Sequence, residues 1–208
     1  MLKNWLKIAF INYKKNWLST FINLFGLTLG LTGFMLILLH WNDEASYEQW
    51  NPQKKYIYFL QQYYKTEDWT NNNMSYQMTK TATDELPEIE DFVMFAYDNK
   101  EGLMKTNSGK SQYVKDGESV SESFFNFFPF KLKFGSYKDA LSDYNKIALS
   151  DKLSQQLFGD DNPVGKELTL SDAKYIVTAV YTLPEGNSVV KPNYVVLSQT
   201  MKDDRENI

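Results

Sequence analysis

Side chains able to do chemistry are scarce in this chain of 208 residues. It has no cysteine, so no thiol nucleophile, and one histidine, His40, at the edge of an apolar run. Neither H-E-x-x-H nor G-x-S-x-G occurs. Gly109-Lys110-Ser111 resembles the end of a phosphate loop, but the motif needs a further glycine where Met104 stands. Asp160-Asp161 and Asp203-Asp204 fall in turn-like sequence and read as solvated surface. Nothing beside Asp43-Glu44 supports a metal. These residues predict no catalytic centre, no cofactor and no metal site, hence not an enzyme.

The stretch that organises the chain is Asn16 to Asn42, which contains no Asp, Glu, Lys or Arg. As a helix, Trp17 to Trp41 would extend about 36 Å, enough to cross a hydrocarbon core of about 30 Å. Eight Leu, two Ile, three Phe and one Met lie between Leu18 and Leu39. Tryptophans at both ends suit the two interfaces. Lys3, Lys7, Lys14 and Lys15 precede the run, and Asp43, Glu44 and Glu48 come after it. The basic flank should stay in the cytoplasm, placing the chain beyond Trp41 outside. The run is longer than a signal-peptide core and no A-x-A-like site succeeds it. Lys14, Lys15, Trp17 and Trp41 are the expected membrane-interface anchors.

One flank of this helix is not built for lipid. Asn12, Asn16, Ser19, Asn23, Gly26, Gly30 and Gly33 recur at alternating spacings of four and three, a period close to 3.5 residues. Small residues let a second helix approach closely, and Gly26-x-x-x-Gly30 is a pairing spacing. Ser19, Asn23, Gly26, Gly30 and Gly33 are the expected helix-packing positions. No later stretch is apolar enough to supply the partner.

Residues 1–15 read as an amphipathic segment at the cytoplasmic surface, 16–42 as the membrane helix, and 43–208 as an outer domain. Four of the 22 basic residues and none of the 26 acids precede the span, leaving 18 against 26 behind it. That acidic balance excludes nucleic acid as a partner. In order, the outer part predicts a strand at 55–64, a polar loop at 66–73, a helix at 74–85 carrying apolar Met74, Met78 and Ala82 and stopped by Pro87, and a strand at 89–97. Next come a hairpin at 103–106 and 112–116, a Phe-rich core segment at 121–130 and a strand at 146–150. Ser150 caps a helix at 151–158 ended by Gly159. Strands at 165–170, 175–181 and 194–197 complete the pattern.

Several segments resemble one family, the MacB-like periplasmic core domain of FtsX-type ABC transporter permeases. The carriers are Phe21-Ile22-Asn23-Leu24-Phe25-Gly26-Leu27 in the first membrane helix, Asp43-Glu44-Ala45-Ser46-Tyr47-Glu48-Gln49-Trp50, and Tyr56-Ile57-Tyr58. Further on stand Leu86-Pro87-Glu88-Ile89-Glu90, Ser123-Phe124-Phe125 with Phe128, Leu157-Phe158-Gly159-Asp160-Asp161-Asn162-Pro163-Val164-Gly165-Lys166, and Val177-Thr178-Ala179-Val180 with Pro184 and Asn187-Ser188. The resemblance implies an α+β fold: a membrane helix, then a porter-like α+β lobe with a β-rich inserted lobe. It implies a permease subunit in the bacterial inner membrane that couples a cytoplasmic ATPase to movement of a periplasmic domain, for efflux or lipoprotein and envelope transport. The implied partners are membrane lipid, the ATPase, a second permease copy and a periplasmic adaptor. By that resemblance the domain ends early at Ile208, as an N-terminal fragment would. The alternative is a single-pass sensor or adaptor whose outer domain binds a ligand or protein.

Overall fold

The computed structural model describes residues 2–97 and 101–201. Asp203-Asp204 lies outside them. The chain divides into two units, Met1–Tyr47 and Glu48–Ile208.

The first unit is helical: α1 (Leu2–Lys15) and α2 (Trp17–Ser46). They meet at Asn16, whose φ of −113° and ψ of 42° leave helical geometry. Its N–H still donates to Asn12 and its carbonyl still accepts from Thr20, both at 3.0 Å. The helix runs past the apolar stretch through Asp43-Glu44-Ala45-Ser46 and stops at the extended Tyr47. Nothing between Asn42 and Ser46 breaks a helix, which is why apolarity and helicity end at different residues.

The second unit is a mixed α+β domain. Its strands are β1 (Gln62–Tyr64), β2 (Trp69–Asn71), β3 (Phe95–Ala96), β4 (Gly102–Thr106), β5 (Ser111–Val114) and β6 (Gly117–Val120). They continue as β7 (Leu132–Gly135), β8 (Lys146–Ser150), β9 (Glu167–Leu170), β10 (Ala173–Tyr181) and β11 (Tyr194–Leu197). The helices are α3 (Tyr76–Glu85), α4 (Phe124–Phe127), α5 (Tyr137–Ala140) and α6 (Asp151–Phe158). The main sheet runs β3-β6-β11-β8-β10-β9-β4-β5, with β7 also on β10. β6 with β11 and β8 with β10 are parallel, and the other pairs are antiparallel. The middle hairpin, β4 with β5, joins this sheet through β9.

Each face of the sheet has its own core. One gathers Phe124, Phe125, Phe128 and Phe130 with Ala140, Ala148, Ala179, Tyr181 and Val195. The other gathers Leu153 and Leu157 of α6 with Ile147, Leu149, Val177, Tyr194 and Val196. Neighbouring residues of β8 and β11 thus face opposite cores, as strands covered on both sides must. The bounds expected for β8, α6 and β11 are those found, and Ser150 caps α6 by accepting from Leu153 N–H at 3.3 Å.

Several expected elements differ. The strand expected at 55–64 shrinks to β1, because its only partner among the described residues is β2, which arises inside the expected loop 66–73. The strand expected at 89–97 shrinks to β3, its approach being held by Ser121, whose hydroxyl accepts from Met94 N–H at 3.0 Å. Helix α3 begins at Tyr76 and buries Tyr76 and Thr79, while Met78 is exposed. The ring of Tyr76 meets Phe92 edge-on at 5.6 Å, and that contact selects the buried face. β6 was not expected.

A Cβ built on Gly117 would lie 2.0 Å from Cζ of Tyr194, so this glycine lets the ring rest on the neighbouring strand. Burial pushes the Tyr194 phenol up to about 12, with Tyr175 and Glu118 adding to the rise. The hydroxyl has no hydrogen-bond partner among the described residues. The fold therefore favours the neutral phenol. That contribution is whole below pH 10, the ordinary value, and is lost as pH climbs through about 12. Tyr194→Phe should keep the pH 7 melting temperature within about 3 °C of wild type. It should also flatten the loss of stability between pH 10 and 12, read by circular dichroism melts at each pH.

Candidate functional site

Two features can carry function: the flank of α2 and the point where the chain enters the sheet domain. On α2, Ser19, Asn23, Gly26, Gly30 and Gly33 fall within an arc of about 80° at 100° per residue. No residue of α2 is buried, and a Cβ on Gly26, Gly30 or Gly33 would meet nothing within 4 Å. Asn12 and Asn16 do not extend this register, because the helix is interrupted at Asn16. His40 falls outside the arc. Thr20 and Thr28 donate their hydroxyls to the carbonyls of Asn16 and Leu24 at 3.0 and 2.7 Å, so neither leaves a bare hydroxyl on the helix. Lys14 and Lys15 form the last turn of α1, Trp17 opens α2, and Trp41 lies near its end; all four are exposed. The two rings lie towards the two ends of the apolar run.

Beyond Tyr47 the chain is fastened within four residues. Glu48 sits in the left-handed region, φ 54°. A non-glycine residue stays there only when surrounding bonds hold it. Its N–H donates to the Asn187 carbonyl at 2.9 Å. Its carboxylate accepts from Val189 N–H at 2.7 Å and lies 2.8 and 3.0 Å from the Ser188 hydroxyl. Bonds to an ionised acceptor are among the stronger ones available. Trp50 stacks on Phe130 with centroids 4.8 Å apart, and Phe130 stacks on Tyr181 at 5.4 Å. Tyr181 belongs to β10 and donates its hydroxyl to the Pro192 carbonyl at 2.8 Å. Burial raises its phenol well above the ordinary range, with Glu118 and Asp151 adding to the rise, so it stays a donor. Asn51, fully enclosed, donates from Nδ2 to the Phe127 carbonyl at 2.8 Å and accepts from Gln53 N–H at 2.9 Å.

Sequence reading picked out Glu48, Asn187-Ser188 and the Phe-rich segment separately. Their meeting was invisible, because 140 residues separate Glu48 from Ser188. The Leu157–Lys166 turn proves to be architecture. Gly159 takes φ 74° and ψ −144°, open only to glycine. Asn162 accepts from Val164 N–H at 3.0 Å. Lys166 lies 3.6 Å from the Asp161 carboxylate and 5.5 Å over the Phe158 ring. Asp160 and Asp161 are thus engaged with Gln155 and Lys166. Asn51→Asp should lower stability more than Asn51→Ala, itself costing about 1–3 kcal/mol, because it sets an acceptor against the Phe127 carbonyl. Thermal melts of the full chain in detergent give the order.

The family model for the MacB-like periplasmic core domain matches residues 20–207. No curated protein matches the chain. Three solved structures are similar. One is a domain of a protein described as a permease from Porphyromonas gingivalis, 22% identical over 50% of this chain and 48% of that chain, TM-score 0.43. The periplasmic region of MacB from Actinobacillus actinomycetemcomitans is 17% identical over 63% of this chain and 58% of that one, TM-score 0.46. The extracellular domain of the noncanonic ABC-type transporter YknZ from Gram-positive bacteria is 14% identical over 64% and 67%, TM-score 0.48. The chain therefore spans about half the length of the first and less than two thirds of the second. The family match begins inside α2, a helix long and apolar enough to cross a membrane, and continues through the sheet domain. This is a membrane protein with an extracytoplasmic domain. The chain belongs to the MacB-like periplasmic core domain family.

Proposed function

We propose that this chain serves as the permease component of an ABC transporter, relaying ATP hydrolysis by a cytoplasmic partner to an extracytoplasmic domain. The observation that carries the reading is the fastening at Glu48, Trp50 and Asn51, immediately behind a helix of membrane-spanning length. A helix can work a domain only if the peptide joining them is held at the domain end. Here it is held by charge-assisted bonds, a ring stack and a buried amide.

In this reading α1 lies at the cytoplasmic surface of the inner membrane, and Lys14, Lys15, Trp17 and Trp41 hold α2 at its two interfaces. Ser19, Asn23, Gly26, Gly30 and Gly33 receive a second permease copy or other membrane helices. A periplasmic adaptor would meet the sheet domain, and the cargo would be an efflux substrate or an envelope lipoprotein. The chain itself performs no bond chemistry.

Because the protein has no cysteine, single cysteines report its orientation. Val189→Cys, whose side chain is exposed, should react with a membrane-impermeant maleimide on intact spheroplasts, and Lys3→Cys only after lysis. The reverse pattern would refute the reading. Gly26→Leu with Gly30→Leu should leave the sheet domain's melting temperature unchanged, since both glycines face open space. The same pair should abolish co-purification of differently tagged copies. Undiminished co-purification would remove the stripe from the assembly.

A further inference from the structure

Glu48 grips a segment that leads into the middle of the sheet. The segment Asn187–Asn193 begins with the Asn187 carbonyl, held by Glu48 N–H, and the Ser188 hydroxyl and Val189 N–H, both held by the Glu48 carboxylate. It continues through Val190, which packs on the Phe-rich core, to Pro192, whose carbonyl takes the Tyr181 hydroxyl. It ends at Asn193. There the backbone N–H donates to Asp116 at 2.8 Å, Nδ2 donates to the Lys115 carbonyl at 2.9 Å, and the carbonyl accepts from Ser150 N–H at 2.8 Å. Asn193 thus ties the turn before β6, the end of β8 and the start of β11.

We propose that Glu48 is a coupling latch, a positioning residue that makes the Asn187–Asn193 strap move with the chain leaving the membrane helix, so that displacement arrives at the β6, β8 and β11 ends together. Two features fit a latch better than a plain structural bond. Glu48 holds a left-handed backbone that relaxes if the grip is lost, so the closed state is poised against a more extended one. The grip is made of a few polar bonds near the surface, which open locally without unfolding the core beneath. The ring stack from Trp50 through Phe130 to Tyr181 would remain as a hinge while the strap releases.

The role in transport rests on the permease reading, whereas the latch itself is testable without it. Hydrogen–deuterium exchange on the full chain in lipid nanodiscs should show slow exchange over 187–193 in wild type. Exchange there should rise about tenfold or more in Glu48→Ala and Ser188→Ala, with α6 unchanged. Glu48→Gly, which tolerates the left-handed backbone but lacks the carboxylate, should open the strap as widely as Glu48→Ala while melting higher. Unchanged strap exchange in Glu48→Ala, or acceleration spread evenly over the sheet domain, would overturn the latch. In the transporter assembled with its ATPase, Glu48→Ala should lower transport per ATP hydrolysed about tenfold. Wild-type coupling alongside a loosened strap would overturn its role. Failure of any ATPase to associate would defeat the permease reading and leave the exchange result standing.

Discussion

Everything in the outer domain depends on strands that are covered on both faces. β8 and β11 have no solvent side: Ile147, Ala148 and Leu149, and likewise Tyr194, Val195 and Val196, alternate between two cores and are all buried. Such strands read as unbroken apolar runs, and they need a layer on each side before they are stable. α6 supplies one layer with Leu153 and Leu157. The other is made of rings, and small residues beneath it, Ala148 and Ala179, leave room for Phe124, Phe125 and Phe130. The ring layer is also where Trp50 docks, so the packing that completes the sheet receives the incoming chain.

The one polar residue in the middle of β10 obeys the same constraint. Thr178 is buried, and the pairing of β10 with β8 slips by a residue between Val177 and Ala179. Its hydroxyl lies 2.8 Å from the Ala140 carbonyl and 3.2 Å from that of Ile147, so the bulge satisfies a buried group rather than orphaning it. Gly135 on β7 passes so close that a Cβ would meet the Thr178 carbonyl at 2.2 Å, and its φ of 85° is also glycine's. Bulge, hydroxyl and glycine form one local solution.

Local patterns were legible where local forces decide. Ser150 before a helix, Gly159 after it and Leu153 with Leu157 between them specify α6 through capping and helical period alone. The continuous apolar runs of β8 and β11 bounded those strands for the same reason. Long-range pairing was not legible. Tyr56, Tyr58 and Phe59 have the composition of a strand, yet among the described residues the sheet offers them no edge and they stay exposed. Gly117–Val120 has weak strand propensity and becomes a strand because β11 lies beside it in parallel. Neither outcome is written within a dozen residues of itself. The meeting of Glu48 with Ser188 is of this kind too: each residue was visible, and the contact was not.

The hydroxyls of Thr20 and Thr28 are already turned back onto their own helix. Of the polar side chains on the glycine-lined arc of α2, Ser19 and Asn23 stand one turn apart, and Asn23 alone carries a carboxamide able to give and take at once. In hydrocarbon an amide of this sort can hydrogen-bond across a helix pair, while glycines let the two backbones approach closely. In any bundle built on this face, the glycines would set how near the backbones come and Asn23 would favour one alignment of the helices.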